Sequence, residues 1–326
     1  MEIKQPFWHP SAASGVLLDW DGVIAETKLD FSDVRERYYG GRRALLIEDA
    51  VELSEEDRKS LMKDLHSLEM EAAEKAEPVP GAIDLIDFLN SRKIPFCVVS
   101  RNCADSIKLA AQVIGVEIPD PTWHRDNSVW LKPDPRALLS AAASINVAPC
   151  DCVFIGDFLY DLQAARRAGI RAVLVQRTSP EWEEWADVSY PTVCDLMSDF
   201  NDPQPIVPWE YREIFAKRGE RWLRGAYGLT LALPDATSPT LDCWLARAAA
   251  LCIKAISVPA DAHFSPSDWK NNPSLDLSSM GRPLADVARD FLAPRFPMVR
   301  VTSDGDGLKA PRNSLDLMRF IERKIF

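Results

Sequence analysis

Asp19 and Asp21 stand one residue apart in the stretch Leu17-Leu18-Asp19-Trp20-Asp21-Gly22, behind an apolar run. Residues i and i+2 of an extended segment share a face, so the two carboxylates can converge just beyond a strand. Gly22 permits a tight turn and close backbone approach by an anion. Three further stretches offer reactive groups in the same kind of place. Ser100 ends the apolar run 94–100 and is followed by Arg101 and Asn102. Lys132 precedes Pro133-Asp134-Pro135, and prolines suit the first turn of a helix. Asp157 follows Ile155-Gly156, and Asp161 comes four residues later, where a helical pattern begins. Singly, each of these is an ordinary turn, cap or surface charge. Gathered in one crevice, the carboxylates, the lysine and the serine would repel or stay unpaired unless they bind something. A hard divalent cation such as Mg²⁺ takes oxygen ligands and sits well beside a substrate phosphate. Lysine and serine donors suit the remaining phosphate oxygens.

The elements around these residues predict how they meet. Segments 15–19, 94–100, 152–156 and 170–176 are short apolar strands. Amphipathic helices are predicted at 82–93, 105–115, 133–146 and 160–169, and 186–200 reads as an edge strand with a closing helix. Strands alternating with helices indicate βαβ units and a parallel sheet, whose ligands lie beyond the carboxyl ends of its strands. Between residues 27 and 77 the chain is instead charged and helix-forming. Ser54 followed by Asp57 predicts an N-cap, and Leu61, Leu65, Leu68 and Ala72 recur at helical spacing. Glu77-Pro78-Val79-Pro80-Gly81 ends that segment.

This order of motifs, "LLDWDGV", "CVVSRN", "LKPDP" and "IGDFLYD", resembles the haloacid dehalogenase-like hydrolase superfamily, in particular its phosphatase branch, over roughly residues 14 to 200. The resemblance implies a Rossmann-like α/β fold, a parallel sheet flanked by helices. It implies a nucleophilic role for Asp19, through an aspartyl-phosphate, and a general acid/base role for Asp21. It places phosphate binding on Ser100, Arg101, Asn102, Lys132 and Gly22. The Mg²⁺ set it implies is Asp19, Asp21 through its backbone carbonyl, Asp157, and Asp161 as a water-bridged partner. Dehalogenating members generally lack the second aspartate, since a halide leaves without a proton, so Asp21 favours phosphoryl transfer. Residues 27–77 correspond to the small helical cap that covers the site in one type of member. Within it Arg35, Arg37, Arg42 and Arg43 are candidates for an anionic substrate, and Gly40-Gly41 reads as a hinge or a turn.

The length, 326 residues, fits about two domains. The expected division is a catalytic core at 1–26 and 78–200, the cap at 27–77, a Pro-rich linker at 201–208 and a small C-terminal α/β domain at 209–326. In the last, helices are expected at 209–224 and 241–255, a loop over 259–281, then a helix, a strand at 298–302 and a final helix from 313. "TSDGDGLK" repeats the Asp-x-Asp-Gly pattern with Asp304 and Asp306, but no matching lysine or Gly-Asp pair follows, so it reads as a turn. Asp261 and His263 likewise read as loop residues. A net charge of −11 argues against a surface that tracks nucleic-acid phosphates. The seven cysteines are scattered without a CxxC pair and read as reduced thiols. With no apolar run near membrane length and no evident signal peptide, a soluble, cytoplasmic protein without nucleic-acid or membrane partners is expected. The predicted function is Mg²⁺-dependent hydrolysis of a small phosphomonoester. A phosphomutase of the same family and a non-catalytic binding protein working through the C-terminal part are the alternatives. The C-terminal part is open to three roles: forming a homodimer, completing the substrate site, or binding a ligand of its own.

Overall fold

Four- and five-residue apolar runs, closed at each end by polar or turn residues, become the buried strands of the first sheet. The computed structural model describes residues 3–177, 179–234, 240–272 and 274–326. In chain order the strands are β1 (Gly15–Leu18), β2 (Ala25–Glu26), β3 (Glu77–Pro78), β4 (Phe96–Val99), β5 (Thr122–Trp123), β6 (Cys152–Gly156), β7 (Arg171–Val175) and β8 (Val188–Tyr190). Six of them form one parallel sheet in the order β5-β4-β1-β6-β7-β8. The chain builds outward from β1 through β4 to β5, then crosses back to place β6 on the other side of β1. The strand order therefore reverses at β1, and a crevice opens beyond the carboxyl ends of β4, β1 and β6. Buried side chains fill both faces of this sheet against flanking helices, Leu18, Val98 and Ile155 on one face and Leu17, Phe154 and Leu174 on the other.

A helical insert leaves after β2 and returns at β3, and these two short strands pair antiparallel, Ala25 with Pro78 and Glu26 with Glu77. It holds helices Ser32–Tyr39 and Glu55–Ala73 around its own apolar cluster, which includes Val34, Tyr39, Leu46, Leu61 and Leu65. Ser54 caps the second helix by accepting the Asp57 N–H. The buried stripe of that helix is Leu61, Leu65, Glu69 and Ala73, not Leu68 and Ala72, which are half-buried beside it. A glutamate enters the stripe because it is matched across the interface. Glu69 takes the Arg125 guanidinium and accepts the Cys103 N–H at 2.9 Å. Gly40 and Gly41 close the first helix as a turn, their N–H groups returning to Glu36 and Arg35 carbonyls.

Beyond residue 208 come β9 (Thr230–Ala232), β10 (Ala255–Ser257), β11 (Arg300–Thr302) and β12 (Leu308–Lys309). They make a second parallel sheet, order β11-β10-β9-β12, over a separate apolar core. Three expectations change here. The helix expected over 241–255 stops at Ala250, because Cys252 turns left-handed at φ 64° and β10 begins at Ala255. The expected loop at 259–281 contains the helix Pro266–Asn271, begun by a reciprocal Ser265–Asp268 cap. The segment Arg212–Tyr227 is helical but broken at Gly219. Asp304 accepts hydrogen bonds from Ser257, Thr302 and the Asp306 N–H, the geometry of a polar turn.

A buried ion cluster joins the first sheet to the turn Trp209–Tyr211 at the start of the C-terminal part. Arg171, the first residue of β7, donates to both Glu210 oxygens at 2.7 and 2.8 Å and to Asp187 at 3.0 Å. Asp187 and Glu210 side chains are fully buried. Residue 206 in the Pro-rich stretch bridges back to Trp8 as an antiparallel pair.

Candidate active site

Each proposed site residue follows a strand or opens a helix, and that is why they meet. Asp19 follows β1, its N–H still in the ladder to Ile155 at 2.9 Å. Ser100 follows β4, Asp157 follows β6, and Lys132 comes just before the helix Pro135–Ser144. Asp161 lies in the first turn of the helix Leu159–Ala168 and accepts the Phe158 N–H at 3.0 Å. Asp19, Asp21, Gly22, Ser100, Arg101, Asn102, Lys132, Asp157 and Asp161 all line one cleft of about 450 Å³. The insert supplies its other wall, with Phe31, Arg35, Leu46 and Leu65 among the lining residues.

The Lys132 ammonium, 2% exposed, is the centre of the charge arrangement. It lies 2.7 Å from Asp19 Oδ1 and 2.8 Å from Asp161 Oδ1. Burial opposes its charge, but Asp161 and Asp19 outweigh that and hold its pKa above the usual lysine range. Asp19 is pushed well up by burial and by Asp161, against the pull of Lys132. Burial likewise raises Asp157 to about 7, with Asp161 adding to the effect. Oxygens of Asp19, Asp157 and Asp161 lie within 4.8 Å of one another. Three buried carboxylates against Lys132 and, at Asp157, Arg177 still offer an excess of carboxylates and all-oxygen donors, and so fit a hard divalent cation. Gly22 has φ 73°, and a Cβ there would collide with the Asp157 carboxylate. Only glycine lets the two strand ends approach this closely.

Asp21 is directed differently. Its carboxylate stands apart from the acidic trio, with Thr27 donating to one oxygen and Asn102 Nδ2 to the other at 2.6 Å. Burial lifts its pKa to about 6, although both hydrogen bonds oppose the shift. Ser100 Oγ accepts the Asn102 N–H at 3.1 Å, which fixes the turn after β4. The Arg101 guanidinium is engaged by Glu48 of the insert at 2.7 and 2.8 Å and by the Lys132 carbonyl, so it ties the insert to the sheet. Trp20, fully buried, packs into the apolar core and is not among the residues that line the cleft.

Of the four candidate arginines of the insert, Arg35 alone lines the cleft. Arg37 pairs with Asp64 at 2.6 Å and Arg42 with Glu52, both on the outside of the insert. Sequence reasoning missed Arg177, whose Nε lies 2.8 Å from Asp157 Oδ2. The signal was available, since Arg177 follows β7 by two residues and strand ends carry the site. The contacts of Glu48 and Glu69 had no local signal, because their partners Arg101, Cys103 and Arg125 are distant in sequence, whereas Thr27 lies only six residues from its partner Asp21.

The family model for haloacid dehalogenase-like hydrolase matches residues 13–169. Those residues form a haloacid dehalogenase-like hydrolase domain. A haloacid dehalogenase-like hydrolase domain-containing protein of Arabidopsis thaliana is 27% identical over 183 residues, 50% of this chain and 71% of its own length. Hexitol phosphatase A of Escherichia coli is 26% identical over 122 residues, 37% of this chain and 56% of its length. A phosphoglycolate phosphatase of Xylella fastidiosa shares 51% identity over a 43-residue stretch, 13% of this chain and 19% of its length. The crystal structure of a hydrolase from Pseudomonas syringae superposes with a TM-score of 0.52 at 19% identity, covering 58% of this chain and 99% of that one. It has the fold of the hydrolase domain. Residues 170–326 lie outside the family match. Among the described residues no helix is long and apolar enough to cross a membrane.

Proposed function

We propose that this protein is a phosphatase that hydrolyses a small phosphomonoester in the cleft above β1, with Asp19 as nucleophile. The observation that carries the reading is the Lys132 ammonium held between Asp19 and Asp161, with Asp21 set apart on its own hydrogen bonds. One carboxylate is thus oriented to attack, and a second, with a pKa of about 6, is suited to move a proton near neutral pH. The proposed division of labour keeps 1–26 and 78–200 as the catalytic core, 27–77 as its cap and 201–208 as the connection to 209–326. The seven free cysteines fit a reducing, cytoplasmic setting.

In the proposed sequence an Asp19 carboxylate oxygen attacks phosphorus. As the phosphorus–oxygen bond breaks, Asp21 gives its proton to the departing alkoxide. Water then loses a proton to Asp21 and attacks phosphorus, releasing inorganic phosphate and the Asp19 carboxylate. Ser100, the backbone around Gly22 and Lys132 hold the phosphoryl oxygens. A divalent cation such as Mg²⁺, held by Asp19, Asp157, Asp161 and the Asp21 carbonyl, would offset the charge of those oxygens and of the acidic trio.

Phosphate release from aryl and alkyl phosphates, with the cation present and after chelation, tests the reading. Net release separates a phosphatase from a mutase, which isomerises its substrate instead. Because the first step needs protonated Asp21, kcat/KM for an alkyl phosphate should fall as pH rises above about 6. Asp21→Asn should remove that limb and lower kcat/KM for the alkyl ester by about 10²–10⁴-fold. An aryl phosphate with an acidic phenol should lose much less, since its leaving group needs no proton. Equal losses on both esters would rule Asp21 out as the acid.

A further inference from the structure

The cleft is lined by five basic side chains, and four already have a carboxylate. Lys28 pairs with Glu77, Arg101 with Glu48, Lys132 with Asp19 and Asp161, and Arg177 with Asp157. The fifth is Arg35, on the insert helix Ser32–Tyr39. Among the described residues it makes no ion pair, and its Nε is closed off from solvent without a hydrogen-bond partner. The Phe31 ring lies 5.8 Å from the guanidinium carbon. Asp30, the carboxylate that feels its charge, makes no ion pair with it among the described residues, and its Oδ1 accepts the Ser32 N–H and hydroxyl at 2.9 and 2.6 Å. A desolvated donor without a partner costs free energy unless a ligand completes it.

We infer that Arg35 binds a carboxylate on the substrate, at the end opposite the phosphoryl group. This rests on the phosphatase reading and specifies its substrate class, a phosphomonoester that also carries a carboxylate. A planar guanidinium matches a carboxylate through two parallel N–H donors. A second phosphate fits less well. It would bring two charges to a single arginine, on a rim that also carries Glu26 and Asp30. The phosphoryl group is held by the sheet and the carboxylate by the insert, so a bound substrate would span the two walls and favour their closed arrangement. Neutral esters would lack the second anchor.

The test assays the full chain on carboxyalkyl phosphates of increasing length, each beside the methyl ester that masks its carboxylate, and on alkyl bisphosphates of the same lengths. The expected result is a preference of about 10–100-fold in kcat/KM for the free carboxylate at one preferred length, carried mainly by KM. Arg35→Met should collapse that ratio, and Arg35→Lys should retain part of it, with thermal melting checking that both variants fold. A wild-type enzyme that turns over masked and free carboxylates alike overturns the inference, as does a preference that survives in Arg35→Met or one that favours the bisphosphates. Those outcomes leave the phosphatase reading standing. Failure to turn over any ester would instead remove that reading and the inference with it.

Discussion

Asp19→Asn is expected to lower phosphate release by on the order of 10⁴-fold or more, a barrier increase of about 5 kcal/mol. The carboxamide keeps the shape of the side chain and can still accept from Lys132 and from the Trp20 N–H, which Asp19 accepts at 2.7 Å. What it loses is the anionic oxygen that attacks phosphorus. The fold should not suffer. Burial and Asp161 raise the Asp19 pKa, so the folded state disfavours its charge. Between its unfolded and folded pKa the folded protein binds more protons, and stability falls as pH rises through that window. A neutral asparagine removes this term, so the melting temperature at neutral pH should hold or rise. Loss of activity accompanied by a lower melting temperature would point to a structural role for Asp19.

The second large effect is on stability. Arg171→Met should cost about 3–5 kcal/mol, because it leaves Glu210 and much of Asp187 as buried carboxylates without their cation. Burial opposes the charge of Asp187, but Arg171 and Arg166 outweigh it and depress its pKa. A depressed carboxylate pKa contributes stability that is present above the unfolded value, about 3.9, and is lost as pH falls through the folded value. The gap between wild type and Arg171→Met in urea midpoint should therefore be full at neutral pH and narrow below about pH 4. A variant as stable as wild type at pH 7 would show that the cluster does not hold the C-terminal part to the first sheet.

The parts of this molecule that were legible in sequence share a cause. Asp19, Ser100 and Asp157 each follow an apolar strand directly, so one topological rule places them at one crevice. The helix Glu55–Ala73 announced itself through Ser54 and its leucine spacing. The failures also have physical causes. Glu69 looked like part of a solvated face because its partner, Arg125, is 56 residues away. The strands β9 and β12 are three and two residues long, too short for an alternating pattern to register. The helix Pro266–Asn271 had a readable cap in Ser265 and Asp268, hidden by a Pro-, Ser- and Asn-rich context. Arg35 was one of four equivalent arginines in sequence. Only the packing of the insert over the sheet turned it, alone of the four, into the cleft.

The central claim is that Asp19 carries the phosphoryl group. Rapid quenching of the wild-type protein during turnover, followed by borohydride reduction and peptide mass analysis, tests it most directly. An acyl phosphate at position 19 would be reduced to homoserine there, and Asp19→Asn would give none. Homoserine at another aspartate, or none anywhere during steady phosphate release from an alkyl ester, would contradict the account.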